Sequence, residues 1–372
     1  MTKQRIIFCL PHIVMGGLEK VLCEYLLELK KDHEFDLCVI SKKRVIDSFF
    51  IDFFKSNDIK LVDDIWYNKP KVHFFLFKWF INIYAKLKKY KFFRFFNSFD
   101  IYIDFANFAY RDELKKIAKP KLAWCHGSIN FFDDFIKDKE GLDIYDKIIC
   151  LSENFKRDFI KKYPFLSDRI VFIYNPIDIK AVKVGAMNEL YKTKGKYFVA
   201  VQRLDSDKKV ETIIDAFNKF SIKHKDFNLY IVGDGPLTAA LKKRAGNNEK
   251  IIFTGRLDNA YAIIKKSDAL ILSSVEKIGE GLGNVLLEAQ VLGTLTISSD
   301  VQSGPTEILL DGKAGYLFKA ENSNSLLKVL EYVISHPEEN TEKIKTATKF
   351  LYRFEAGQSA RVLREELRKL YK

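Results

Sequence analysis

Nowhere in these 372 residues do roughly eighteen uncharged apolar residues follow one another, which argues against a membrane-spanning helix. The opening MTKQRIIFCLPHIVMGG holds only a short apolar stretch before Pro11 and His12, so a buried strand is expected there rather than a signal peptide. Cysteine is scarce. Cys9, Cys23, Cys38, Cys125 and Cys150 all fall in the first half, without CxxC or Cys/His ligand spacing, and read as free thiols of a reducing cytoplasm. No low-complexity tract suggests disorder, and no GxGxxG supports a dinucleotide site. Acid is missing altogether from Ile65 to Phe99, and within Lys69–Phe96 about eight Lys or Arg interleave with about eleven aromatics.

What is present exceeds the needs of one core. A chain this long, 47% hydrophobic and 30% charged, predicts two domains of ordinary size. The net charge of +13 invites an anionic partner: nucleic acid, a phosphorylated small molecule or an acidic membrane surface. The basic aromatic run fits a core helix with a wet face, an RNA surface or an interfacial helix. With Phe, Trp and Leu beside Lys and no RNA recognition motif, the membrane surface is the expected partner and nucleic acid is not.

Short apolar runs alternate with amphipathic stretches along the whole chain. RIIFCL, FDLCVI, DIYIDF, KLAWCH, DKIICLS and RIVFIYN predict strands in the first half, with a helix over Gly17–Lys30. The turn signal NPID ends that series at Asp178, and a Lys-rich stretch with little pattern runs on to Lys196. KYFVAVQRL, NLYIVGDG, KIIFTG, DALILSS, TLTISSD and GYLF then repeat the alternation. Strands separated by helices predict parallel sheets, hence two doubly wound α/β domains facing across a cleft. The expected division is 1–178, 179–350, and a terminal helix over 351–372 that packs back on the first domain.

Several stretches invite a chemical reading. Gly16 and Gly17, in MGGLEK, let backbone approach a ligand at a helix start, although a tight βα turn explains the pair equally well. In VQRLDSDKKV, Arg203 and Lys208 follow a strand and precede a helix, a placement that suits a diphosphate. Asp205 and Asp207 beside these cations make poor metal ligands. Gly233 opens the turn VGDGPL, and His126 ends KLAWCH at the carboxyl end of a strand. EGLGNVLLEAQ sets Glu280 before a helix and Glu288 one turn inside it. Gly281, Gly283 and Asn284 between them offer close approach and free N–H groups to phosphate.

EGLGNVLLEA resembles the E-x7-E signature of retaining glycosyltransferase family 4, whose fold is GT-B. GGLEK, His126, Arg203 with Lys208, VGDGPL and SGPTEILLDGKAGYLF stand in that family's order. The resemblance implies transfer of a sugar from a nucleotide-sugar donor with retention of configuration and without an obligatory metal or other cofactor. It implies catalytic roles for Arg203, Lys208, Glu280 and His126. Gly16, Gly17, Gly233, Gly281, Gly283, Asn284 and Glu288 would bind substrate. GGLEK and SGPTEIL look like the branch that builds bacterial surface glycans, often from UDP-sugars, on glycan or lipid-linked acceptors. The implied location is the cytoplasmic face of the cell membrane.

Two departures stand out: Gln202 occupies the position where the family has glycine, and EKIG lengthens the approach to Glu280, making Glu276 its rival on the sugar side. Two other readings compete. A basic module docking on membrane or RNA leaves the two glutamates and two cations without a purpose, and a GT-B epimerase needs acid–base carboxylates that are not clearly marked.

Overall fold

A computed structural model describes residues 3–14, 16–45, 47–63, 90, 92–127, 139–189, 191–275, 280–301 and 304–371. Within them the apolar runs form two parallel sheets. The first contains β1 (Gln4–Leu10), β2 (Phe35–Ser41), β3 (Lys60–Asp63), β4 (Ile101–Asp104), β5 (Lys121–Cys125), β6 (Lys147–Cys150) and β7 (Ile170–Phe172), in the order β3-β2-β1-β4-β5-β6-β7. The second contains β8 (Lys196–Val201), β9 (Phe227–Val232), β10 (Ile251–Gly255), β11 (Ala269–Leu272), β12 (Thr296–Ser299) and β13 (Tyr316–Phe318), in the order β10-β9-β8-β11-β12-β13. Each order reverses direction beside its first strand, and such a switch point opens a crevice at the carboxyl ends of the strands.

The strands are apolar on both faces because helices cover both. Ile6, Phe8 and Leu10 pack with Ile103, Phe105 and Trp124, whereas Ile7 and Cys9 pack with Tyr102, Ala123 and Cys125 on the opposite side. All five cysteines are free and buried; burial pushes the thiols up, to about 12 for Cys23 and Cys38.

The helices used below are α1 (Gly17–Lys30), α2 (Ser48–Ser56), α3 (Arg111–Leu114), α4 (Glu153–Lys162), α5 (Ile179–Gly185), α6 (Val210–Lys223), α7 (Thr238–Ala245), α8 (Tyr261–Lys265), α9 (Asn284–Val291), α10 (Gly304–Ile308), α11 (Ser323–Ser335), α12 (Pro337–Phe350) and α13 (Ala356–Leu370). The stretch after NPID, which carries little periodic pattern, holds the short helix α5. Asp178 starts it, accepting from the Ala181 N–H at 2.8 Å.

The chain crosses between the halves twice, side by side. Ile177 donates its backbone N–H to Phe354 O at 2.8 Å, and the Tyr174 and Phe354 rings lie 4.7 Å apart. Beyond this return, α13 buries Ala360, Leu363 and Leu367 against the first half, and Arg364 pairs with Asp32 while Arg368 pairs with Glu34.

A second tie comes from α10. Both carboxylate oxygens of Glu307 reach across to the start of α4, accepting from Glu153 N and Asn154 N at 3.1 Å each, and Tyr174 donates its hydroxyl to the same group. An acidic side chain thus caps a helix of the other half, where orphan N–H groups and the helix dipole both favour negative charge. Glu307→Ala is expected to cost about 1–2 kcal/mol, the usual worth of a helix cap, and to lower the thermal midpoint. Calorimetry of both proteins checks this; an unchanged midpoint removes the cap's structural role.

Candidate functional site

Lys208 sits in the loop from β8 to α6, at the carboxyl edge of the second sheet. Its Nζ forms an ion pair with Glu280 Oε2, and both side chains are largely buried, 17% and 16% exposed. Ser274, just beyond β11, donates its hydroxyl to the same oxygen at 2.9 Å. Arg203 is held differently. Its guanidinium is 74% exposed and pairs with Asp205 at 3.1 Å. The structure therefore brings Lys208, Glu280 and Ser274 together and leaves Arg203 at the rim. Its charge still reaches the first half, where it favours the ionised form of buried Glu19 in α1 against the larger effect of burial.

From Glu280 the chain enters α9 through two glycines with separate reasons. A Cβ on Gly281 would lie 2.0 Å from the backbone carbonyl of His126, so only glycine lets this loop touch the first half. Gly283 caps α9 at φ +83, a left-handed conformation that other side chains rarely adopt. Asn284 follows, its Oδ1 accepting from Asn175 Nδ2 at 3.2 Å across the junction. Gly17 opens α1 opposite this point: a Cβ there would lie 3.5 Å from Asn284 Nδ2. Gly16 is the extended residue before α1. Gly233 lies under the Lys208 loop, and a Cβ there would be 2.0 Å from Gln202 O.

One turn into α9, the Glu288 carboxylate lies 3.4 Å from the Tyr261 hydroxyl. Burial raises its pKa, while nearby Lys20 and that hydroxyl draw it down. Lys20, from GGLEK, lies 5.6 Å over the Tyr261 ring. A cavity of about 230 Å³ opens here, lined by Gly17, Lys20, Tyr261, Asn284 and Glu288 among others. Residues of both halves thus surround a space next to one carboxylate, while a second carboxylate holds a cation nearby. Ser274 and Tyr261 carry no sequence signal of their own, while Lys20 stands within GGLEK and Asn175 within the turn signal NPID.

His126 follows β5 with its ring stacked on Trp124, centroids 6.2 Å apart, and its backbone N–H donated to Asn107 Oδ1 at 2.7 Å. Its Nε2 is buried without a hydrogen-bond partner among the described residues. Burial pushes the imidazole pKa down from 6.5 to about 4, so the ring is neutral at pH 7. A folded pKa below the unfolded one means that the unfolded chain binds more protons in this window. The neutral ring's contribution is complete above pH 6.5 and is lost as pH falls through about 4. The stability gap between wild type and His126→Gln is therefore expected to shift against wild type from pH 7 to pH 4. Denaturation at several pH values reads it, and a gap independent of pH overturns the assignment.

Glu276 lies outside the described residues, as do Lys86, Lys88, Lys89 and Lys91 of the basic aromatic run. Among the described residues no cluster of three or more His, Cys, Asp or Glu has metal-holding geometry, and no helix is long and apolar enough to cross a membrane.

Residues 187–350 match the family described as Glycosyl transferases group 1. The chain is 29% identical over 364 residues to an uncharacterized glycosyltransferase of Methanocaldococcus jannaschii, covering 87% of this chain and 88% of that one. It is 27% identical over 192 residues to N-acetylgalactosamine-N,N'-diacetylbacillosaminyl-diphospho-undecaprenol 4-alpha-N-acetylgalactosaminyltransferase of Campylobacter jejuni, a match that spans 51% of each. Among solved structures, Anabaena HepE in complex with UDP-glucose superposes with a TM-score of 0.77 at 16% identity, over 98% of this chain and 100% of that one. The architecture is therefore GT-B.

Proposed function

We propose that this GT-B protein is a retaining glycosyltransferase. It moves a hexose or N-acetylhexosamine from a UDP-linked donor to a glycan or lipid-linked acceptor in bacterial surface polysaccharide assembly. The observation that carries the reading is the partly buried Lys208–Glu280 pair at the carboxyl edge of the second sheet, with Glu288 farther along α9 and the first half opposite. Proteins of the same fold support it: HepE is seen with UDP-glucose, and WaaB, a lipopolysaccharide outer core galactosyltransferase, shares the fold at a TM-score of 0.70 and 21% identity.

In this reading the donor's diphosphate competes with Glu280 for the Lys208 ammonium. Glu280 is then released to accept from sugar hydroxyls, and Glu288 accepts from the ribose. Arg203, at the rim, swings from Asp205 onto the phosphate, and the N–H groups at the start of α9 add the helix dipole. Gly16, Gly17 and Gly233 leave room for the donor, and His126 lies on the sugar side as a neutral imidazole. The bond from the sugar's C1 to the β-phosphate oxygen breaks. A bond from C1 to the acceptor oxygen forms on the same face, and the acceptor's proton passes to the departing phosphate. The main catalytic term is stabilisation of charge on that phosphate, which Lys208 and Arg203 supply without a metal or other cofactor.

Transfer or slow donor hydrolysis is measured in EDTA with UDP-glucose, UDP-galactose and UDP-N-acetylglucosamine, beside the thermal shift caused by UDP. Wild type is expected to be active and stabilised. Lys208→Ala should lose roughly 3–4 kcal/mol of transition-state stabilisation, a rate loss of two to three orders of magnitude, and Arg203→Ala a comparable amount. Activity that returns only with Mn²⁺ or Mg²⁺, or wild-type rates in both variants, sinks the reading.

A lipid-linked acceptor would stay at the cytoplasmic face of an anionic membrane, and the basic run of 65–99 would supply the attraction to it, each cation being worth on the order of 1 kcal/mol near that surface. Co-sedimentation with anionic vesicles should fall with salt and when Lys86, Lys88, Lys89 and Lys91 are changed to Glu. Binding indifferent to both rules the mechanism out.

A further inference from the structure

Gln202, standing where the resembling family has glycine, is the last residue before Arg203 and directly follows β8. Its side chain bridges two strand ends. Nε2 donates to Ser273 Oγ at 3.1 Å and lies 3.4 Å from Lys208 O, while Oε1 accepts from the Ser273 N–H at 3.3 Å. Ser273 is buried, 1% exposed, and turns its hydroxyl to the carbonyls of Lys208 and Lys209. The next contact repeats the stitch, with Val275 N donating to Asp207 O at 3.0 Å. The loop carrying Lys208 is thus sewn to the segment that leads from β11 toward Glu280.

The stitch has strain to hold. Lys209 takes φ +41 and ψ 46, a left-handed conformation that is costly for a lysine and persists only where the surroundings over-determine it. That turn starts α6 immediately after Lys208, and its geometry decides where the lysine's flexible stem begins. A four-carbon stem spreads its ammonium over many positions unless the backbone below it is fixed. The two carbonyls on either side of this turn are the ones that Gln202 and Ser273 gather.

We propose that Gln202, acting through Ser273 and the backbone of Lys208, is a positioning residue that holds the Lys208 ammonium where a nucleoside diphosphate is bound. The inference rests on the phosphate role given to Lys208 above. Gln202 itself touches no substrate, and its effect passes through Lys208.

The test is a double-mutant cycle on UDP affinity by calorimetry, with Gln202→Ala and Gln202→Gly each made in wild type and in Lys208→Ala. In the wild-type background each substitution is expected to weaken UDP binding by roughly tenfold, the upper range for loss of a hydrogen-bonded anchor. In the Lys208→Ala background neither should weaken it further. Gln202→Glu, which keeps the acceptor for Ser273 N–H but loses the donor, should behave like Gln202→Ala and guards against a variant that fails to fold. Equal losses in both backgrounds would show that Gln202 acts independently of Lys208 and overturn the inference. So would full affinity in all Gln202 variants when Lys208→Ala alone is weakened. If Lys208→Ala binds UDP like wild type, the phosphate assignment itself falls, a distinct failure that removes this inference too.

Discussion

One ion pair organises the carboxyl edge of the second sheet. Lys208 and Glu280 come from loops that leave neighbouring strands, β8 and β11, on either side of the second sheet's switch point. Pairing two charges at low exposure carries a desolvation cost that an ion pair alone does not reliably repay. It is sustained here because Glu280 also accepts from Ser274 and because the Lys208 loop is stitched to the strand beside it. The same arrangement keeps a cation and a carboxylate poised where strand ends and the start of α9 converge.

Around that pair the two halves touch at points that tolerate little change. Gly281 lies against the His126 carbonyl, Asn175 bonds to Asn284, and Glu307 caps α4. Each contact joins a loop or short helix of one half to a strand or helix end of the other. An apolar cluster runs beneath them, from Leu151 and Ile173 through Leu282 and Leu286 to Leu351 and Phe354. A site assembled from two sheet edges needs such ties, because the edges themselves share no backbone ladder.

Much of the fold was legible in the chain because parallel strands are buried on both faces and read as short apolar runs. RIIFCL and FDLCVI lie within a residue of the observed β1 and β2, whereas KYFVAVQRL runs three residues past the end of β8 at Val201. The helix α5 was not legible: its cap, Asp178, stands inside NPID, where a turn and a helix start look alike. Of the candidate site, the spacing of Glu280 and Glu288 on either side of a glycine-marked helix start was visible locally. The exposure of Arg203 was not, since nothing in VQRLDSDKK says which cation turns inward.

The sequence by itself determined the alternation of strands and helices, the free cysteines, and the carboxylates, cations and glycines grouped at strand ends. These are local properties, set by periodicity, capping and backbone freedom over a few residues. Only the tertiary structure decided that Ser274 joins Lys208 and Glu280, that Lys20 and Tyr261 flank Glu288, and that Glu307 serves a helix 154 residues away in the chain. Apart from Ser274 and Glu280, which are six residues apart, those pairings link segments far apart in sequence. Their partners are chosen by which sheet edges and helix ends the packed cores bring within hydrogen-bond reach, and no local pattern encodes that distance.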